Sequence, residues 1–499
     1  MKTRIDFYIN ELKIKDLYTH SSTSNQMIEY ITYNSKEVKN NTLFICKGAN
    51  FKVDYLQQAI DQGATCYLSE KKYDVDCDYI LVNDIRQAMV YVSAFFYERC
   101  WEKLKLIGIT GTKGKSTTAF FLKSILDCYL KSKNKVPSAI LSSIETYDGK
   151  VTKESHITTP EPVELHQFFE NAINNNVEFL EMEVSSQALK YHRVLELIYD
   201  VVVFLNIGED HISDNEHIDF EDYFNSKLMI FKQTKVACIN SFSELYDRIL
   251  LAAKESGVKI ISFGYDKNDD FQAYDIKKDY GHTVFKVKSK KFDKEFRLTL
   301  PGLFNIDNAL AAIAVASQYD IPVEYMIRGL EEARVNGRME VYQSQNREII
   351  GIVDYAHNKL SFSKLFESIQ NEFEDYDIRI IFGCPGMKAL NRRQELSEIA
   401  GENATMTYIT EDDPSLESLE EICDEMAKHI INKNGQYQII YDREEAIKKA
   451  VKDCHRKTVI ICAAKGNETV QKRANGYFKI KTDATVLQEA IADYEERRN

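Results

Sequence analysis

The residues with the clearest chemistry are Lys115, Ser116 and Thr117, which follow an apolar stretch and two glycines in the run LKLIGITGTKGKSTT, residues 104–118. An apolar strand, a Gly-rich turn and a helix start are the parts of a phosphate cradle. Gly111 and Gly114 let the backbone fold tightly enough to aim N–H groups at phosphate oxygens, Lys115 brings a point positive charge, and Ser116 offers a hydroxyl to Mg²⁺. The ligand this predicts is a nucleoside triphosphate. The first glycine of the usual G-x-x-x-x-G-K-[ST] pattern would fall at position 109, which is Ile. GTKGKS is therefore a tighter pattern than the standard one.

A second constellation joins Glu183 in MEVSS, His211 in GEDH and Lys227 in FNSKLMIF. Each follows an apolar strand or opens a helix, so all three are expected to converge at the carboxyl edge of the sheet that carries the phosphate loop. Glu183 and His211 are reasonable ligands for Mg²⁺, directly or through water, although Mg²⁺ prefers oxygen. Taken singly, each of these residues is more often structural. The order of phosphate loop, strand-end Glu, strand-end His and Lys is what favours a site.

The elements that must position these groups alternate between short β-like runs and amphipathic stretches, which predicts α/β layers. The 499 residues suffice for about three domains. A first block, residues 1–101, has strand and helix signals and no nucleotide loop. A second, 102–335, starts at the phosphate loop and contains the nearly continuous apolar runs 179–184 and 201–207, as expected for strands covered on both faces. The third, 336–499, carries apolar runs at 349–353, 378–382, 406–409 and 459–463 with helical stretches between them, which predicts a smaller parallel sheet. A net charge of -13 with no Lys/Arg cluster argues against a nucleic-acid surface. No segment approaches 18 uncharged apolar residues, so no membrane insertion is expected and a cytoplasmic protein is. Ten scattered Cys without a C-x-x-C pair predict buried free thiols in a reducing compartment.

GTKGKSTT, ITTPE, MEVSSQALKYHRV, FLNIGEDHIS, FEDYFNSK, FNIDNALAA, GRMEV, VDYAHN, EDDP and AAKGNE occur in this order. In order and spacing the chain resembles the Mur ligases, ATP-dependent enzymes that extend the peptide of the cell-wall precursor. ITTPE followed by EVSSQ and HRV looks like the branch that adds the third peptide residue, and FLNIGEDHIS with EDDP looks like its L-lysine-adding form. The resemblance implies a three-domain architecture, with a central P-loop ATPase-like parallel-sheet domain and a C-terminal Rossmann-like domain. It implies UDP-N-acetylmuramoyl-dipeptide and L-lysine as substrates, ATP and Mg²⁺ as cofactors, and a monomer. Gly111, Thr112, Lys113, Gly114, Lys115, Ser116 and Thr117 would hold the ATP phosphates and one Mg²⁺, with Asn305 and Asn308 against the adenine. Arg338, Asp354 and His357 would complete the ATP site from the third domain. Ser35, in NSK, would touch the uridine end, while Thr158, Thr159, Ser185 and Arg193 would grip the muramoyl-peptide. Lys227 matches the lysine that the family carries as a CO₂-derived carbamate.

That carbamate makes physical sense. An ordinary Lys, with a pKa of about 10.4, would place a positive charge beside Mg²⁺, whereas a carbamate is an anion that binds metal through oxygen. The alternative is a cationic Lys227 that pairs with Glu221 or Asp222 or contacts phosphate as a cation. Several positions depart from the family pattern: Asn34 and Lys36 flank Ser35, and Ala464 and Asn467 replace the Gly and His of GKGHE. The diaminopimelate-adding branch has a DNPR motif, and the matching run here, Asp412, Asp413, Pro414, Ser415, has no arginine. Asp412, Asp413 and Glu468 suit a side chain ending in an ammonium, with Lys388, Arg392 or Arg393 for its α-carboxylate. One of the two Asp residues fits equally a solvated turn before a helix at Leu416. The alternatives in function are the same chemistry on diaminopimelate or ornithine, a paralogue outside the main wall pathway, and a non-catalytic nucleotide-binding regulator.

Overall fold

The computed structural model describes residues 3–22, 26–48, 51–155, 157–208, 217–279, 282–300, 302–335 and 339–497. The chain forms two compact units. One comprises Met1–Ala273, Val287–Asp293 and Asp307–Gly329, and the other Tyr274–Lys286, Lys294–Ile306 and Leu330–Asn499.

Besides a two-stranded pairing of Thr3–Arg4 with Met27–Ile28, the first unit holds two larger sheets. The smaller has the order Tyr18–Ser21, Asp78–Val82, Ala64–Ser69, Thr42–Ile45, Tyr30–Thr32, parallel except for the first pair. The N-terminal stretch, which alternates charged and apolar residues, is a helix, Ile5–Ile14, that buries Ile5, Tyr8 and Leu12. In the larger sheet, which has eleven strands among the described residues, six neighbouring strands run Ala139–Leu141, Phe179–Glu183, Lys105–Thr110, Tyr199–Phe204, Thr234–Asn240, Lys259–Gly264, all parallel to one another. Phe179–Glu183 and Lys105–Thr110 are buried at nearly every position, as their continuous apolar runs require for strands covered on both faces. From Lys105–Thr110 the chain first adds strands on one side, then crosses to the other with Tyr199–Phe204. That reversal opens a crevice at the carboxyl end of Lys105–Thr110, where parallel α/β sheets bind ligands.

The second unit has a six-stranded sheet with the order Glu340–Gln343, Ile349–Asp354, Thr458–Ala463, Asp377–Phe382, Met406–Ile409, Tyr437–Ile439, parallel after the first pair. The four apolar runs of the sequence are thus neighbouring strands. Separate apolar cores lie on its two faces, one built on Phe362, Phe366 and Met426 and the other on Ile447, Leu487 and Ile491. Helix Leu419–Ile431 is capped by the Ser418 hydroxyl, which accepts from Glu421 N. The helix expected at Leu416 therefore begins three residues later, and Leu416 is exposed. All ten Cys are free, nine of them buried. Among the described residues no helix is long and apolar enough to cross a membrane.

Candidate active site

The phosphate loop connects strand Lys105–Thr110 to helix Lys115–Ser132. Gly114 caps the helix at φ +87°, and a Cβ there would collide with the Asn308 side chain, so both backbone and packing require glycine. A helix leaves its first-turn N–H groups without intrahelical acceptors and presents the positive end of its dipole, which makes this turn an anion site. Two loop amides are committed elsewhere: Thr112 N and Lys113 N both donate to Asn206 Oδ1, at 3.0 and 2.9 Å. The N–H groups of the first helical turn are thus the ones that the protein's own acceptors leave to an anion. The Lys115 ammonium donates to the carbonyls of Gly111 and Thr112, at 3.0 and 3.2 Å, folded back over the loop.

Glu183 ends its strand in register with Ile109 and is 1% exposed. Its Oε1 accepts from Ser143 N at 2.8 Å and Ser143 Oγ at 3.3 Å, and Ser143 Oγ lies 3.0 Å from Ser116 Oγ. A carboxylate and a helix-start hydroxyl are thus one serine apart. Hard oxygen donors of this kind beside a phosphate cradle fit Mg²⁺. The Glu183 carbonyl accepts from Thr159 Oγ1 at 2.9 Å, and Thr159 Oγ1 receives Ser185 N at 3.1 Å. Arg193 donates to the Thr159 carbonyl at 3.3 Å and pairs with Glu161 at 2.9 Å. Thr159, Ser185 and Arg193 are therefore gathered at this strand end, with Thr158 half-buried beside them.

Lys227, on helix Phe220–Leu228, is 1% exposed and donates to the Gly111 carbonyl at 3.0 Å. Its ammonium stands 4.7 Å over the Tyr223 ring, and Tyr223 OH is 3.0 Å from Thr112 Oγ1. Glu221 is held by Arg248 at 2.7 Å and Asp222 by Lys190 at 2.5 Å. The pairing of Lys227 with Glu221 or Asp222 is accordingly overturned, because other cations hold both carboxylates and Lys227 turns inward. Asn308 accepts from Thr118 Oγ1 at 3.3 Å. Ser35 is buried and donates to Gln58 Oε1 at 2.8 Å. His211 and Arg338 lie outside the described residues.

In the second unit, Asp412, Asp413 and Glu468 do come together, but around the chain's own Lys465. The Lys465 side chain is 1% exposed, and its ammonium lies 2.6 Å from Asp413 Oδ1, 2.7 Å from Glu468 Oε2 and 3.9 Å from Asp412 Oδ1. Burial pushes the Asp412 carboxyl up to about 6, only partly offset by Lys465. The same carboxylates outweigh burial at Lys465 and raise it above its ordinary value. Glu468 also accepts from Tyr355 OH. Arg393 is buried and pairs with Glu417 and Glu425 at 2.7 and 2.8 Å. Lys388 is exposed and Arg392 half-buried. Asp354 accepts from Met339 N and Ala356 N, both at 2.8 Å, and His357 Nδ1 lies 2.7 Å from the Tyr355 carbonyl.

Sequence reasoning missed Ser143, Tyr223 and the occupancy of the acidic cluster by Lys465. The AAKGNE run displays Lys465 openly; Ser143, in LSSI, carries no local signal beyond being a hydroxyl after a strand.

Residues 109–316 match the Mur ligase middle domain and residues 337–466 the Mur ligase glutamate ligase domain. A UDP-N-acetylmuramyl-tripeptide synthetase of Lactobacillus delbrueckii subsp. bulgaricus is 34% identical over 95% of both chains. The chain belongs to the Mur ligase family. A UDP-N-acetylmuramoyl-L-alanyl-D-glutamate–L-lysine ligase of Streptococcus thermophilus is 36% identical over 92% of each chain. Among solved structures, a UDP-N-acetylmuramoyl-L-alanyl-D-glutamate–2,6-diaminopimelate ligase superposes with a TM-score of 0.69 at 20% identity, covering 99% of this chain and 100% of that one. A MurF ligase of Thermotoga maritima in complex with ADP gives 0.59 at 19% identity, covering 94% and 99%. These two establish the Mur ligase fold for this chain.

Proposed function

We propose that this Mur ligase joins L-lysine to the D-glutamate of UDP-N-acetylmuramoyl-L-alanyl-D-glutamate in the cytoplasm, with ATP as the energy source. The observation that carries the reading is the linkage Ser116–Ser143–Glu183 at the phosphate loop, with Lys227 on the Gly111 carbonyl. It sets a hydroxyl, a carboxylate and two lysines where a triphosphate would meet a helix N-terminus. The proposal keeps three domains, 1–101 for the UDP-substrate, 102–335 for ATP and 336–499 for the amino acid.

The γ-carboxylate of the substrate's D-glutamate attacks the γ-phosphorus of ATP, the bond to the β,γ-bridging oxygen breaks, and ADP and an acyl phosphate result. The lysine α-amine then attacks the acyl carbon, loses a proton, and phosphate leaves. Lys115 and the helix turn stabilise charge on the transferring group, and Thr159, Ser185 and Arg193 hold the peptide, so catalysis is positioning and electrostatics. Bound at Ser116, Glu183, His211 and Lys227, Mg²⁺ would supply Lewis-acid neutralisation of phosphate charge. Lys227 serves there as the carbamate: its neutral amine adds CO₂ and releases a proton, and the resulting anion suits a cation where an ammonium would oppose it. Asn305, Asn308, Asp354, His357 and Arg338 keep the ATP roles that family likeness gives them, and Ser35 keeps the uridine end.

The missing arginine in Asp412–Asp413–Pro414–Ser415 and the acidic cluster favour L-lysine over diaminopimelate. With Lys465 inside it, that cluster still carries more carboxylates than cations, and Asp412 is the member left farthest from the internal ammonium. The test is a product assay with ATP, the UDP-muramoyl-dipeptide and each of lysine, ornithine and meso-diaminopimelate in turn. Equal use of lysine and diaminopimelate would defeat the acceptor assignment, and ATP binding without any amide product would favour a nucleotide-binding regulator.

A further inference from the structure

Ser186, His217 and Asp222 form a hydrogen-bonded chain that the ligase chemistry above does not use. His217 Nε2 lies 2.9 Å from Ser186 Oγ, and Nδ1 lies 3.2 Å from Asp222 Oδ2, the connectivity of a hydroxyl–imidazole–carboxylate triad. Ser186 is 3% exposed and His217 fully buried. A serine closed off in this way meets no external carbonyl, so the array is not a hydrolytic nucleophile.

Its protons are nevertheless fixed. Lys190 at 2.5 Å and the Ile218 amide at 3.2 Å outweigh the effect of burial on Asp222 and hold its carboxyl below the usual range. An ionised carboxylate only accepts, so Nδ1 carries the hydrogen. Burial lowers the imidazole's own affinity for a second proton, opposed by Asp222 and reinforced by Lys190 and Lys227, so Nε2 is the acceptor and the Ser186 hydroxyl donates. The Tyr223 ring packs edge-on against the imidazole at 5.2 Å. No polar atom of the ring has a second choice of role.

The two ends of the chain sit on different parts of the site. Ser186 opens the helix Ser186–Lys190, three residues after Glu183, while Asp222 lies in the first turn of the helix that carries Tyr223 and Lys227. We infer that His217 is a positioning residue: through Ser186 on one side and Asp222 on the other it fixes the Lys227 helix against the strand end that bears Glu183. The inference rests on the ligase reading above, since it gives Lys227 work to do at the phosphate loop.

Two measurements test it. In steady-state kinetics, His217→Leu should lower kcat by about thirtyfold while the KM values for ATP and muramoyl-dipeptide change by less than about threefold. His217→Asn keeps an amide N–H near the Nδ1 position and His217→Gln an amide oxygen near Nε2, so each should recover part of kcat. Adding Ser186→Ala to His217→Leu should cost nothing more, because both act through one bond. Nitrogen NMR of the ring is independent of turnover: it should show Nδ1 protonated and Nε2 bare across neutral pH in the wild type, and a mixture of tautomers in Asp222→Asn. A folded His217→Leu with kcat near the wild-type value, or a wild-type ring that mixes tautomers at neutral pH, overturns the inference. Wild-type protein with the expected ring signature but no amide product overturns the ligase reading and the positioning role with it.

Discussion

Replacing Lys465 with Met preserves the length of the side chain and deletes the charge at the centre of the acidic cluster. Removing one member of a buried ion pair costs about 3–5 kcal/mol. Asp413 and Glu468, at 2.6 and 2.7 Å, are 26% and 28% exposed, so water recovers part of that loss. About 2–4 kcal/mol of destabilisation should remain near pH 8. The pH dependence has a definite sign. Asp412 stands at about 6 in the folded protein, above the carboxyl's unfolded value of about 3.9. The folded state therefore holds that proton more tightly, and stability falls as pH rises through about 6. Without Lys465 the Asp412 carboxyl moves higher still, so the loss should be largest near pH 8 and recede by ~1–2 kcal/mol near pH 5.5. Urea unfolding followed by far-UV circular dichroism measures both. The single Trp, Trp101, belongs to the first unit, so its fluorescence transition serves as an internal control and should not shift. A variant as stable as the wild type near pH 8, or one equally destabilised at both pH values, would refute the account of Lys465 as the counter-ion of the cluster.

Lys115→Ala should reduce ADP formation at least about a hundredfold, the scale of losing one strong electrostatic donor, and near-normal turnover would contradict the phosphate-loop assignment. Ser143→Ala leaves its backbone bond to Glu183 but removes the hydroxyl between Glu183 and Ser116; kcat should fall by about three- to tenfold with a raised Mg²⁺ requirement, read from a metal titration. Lys227→Ala should be nearly inactive and partly restored by formate or acetate but not by chloride at equal ionic strength, and full activity without added carboxylate would remove the carbamate from the mechanism.

The parts of this molecule that were legible in its sequence are those decided by local pattern. The run ending at Thr110 could only be a buried strand, and the glycines after it could only be a tight turn, because few residues tolerate φ +87° against an intruding Asn308. The four apolar runs of the second unit became adjacent strands for the same reason. The N-terminal helix was obscured by Asp6 and Lys13, charges that interrupt the apolar pattern while Ile5, Tyr8 and Leu12 keep helical spacing. What the sequence withheld depended on meetings between distant segments. Lys465 stood in plain view beside Glu468, yet its place among three carboxylates follows from strand order bringing the loops after Ile409 and Ala463 together. Ser143 gains its role only because its strand end lies two places from the phosphate loop, with Glu183 between them. His217 is 31 residues from the serine it holds.

The thiols give the protein a way to be watched. Burial pushes Cys238 and Cys423 up to about 12 and Cys77 up to about 11, so at neutral pH almost none of their sulfur is the nucleophilic thiolate. Cys238 and Cys423 are buried as well, so an alkylating reagent must wait for their segments to open before it can react. Because Cys238 lies in the first unit and Cys423 in the second, the order in which their masses change would clock which half of the molecule breathes first. Repeating the clock with nucleotide or amino acid present would tell which half each ligand quiets.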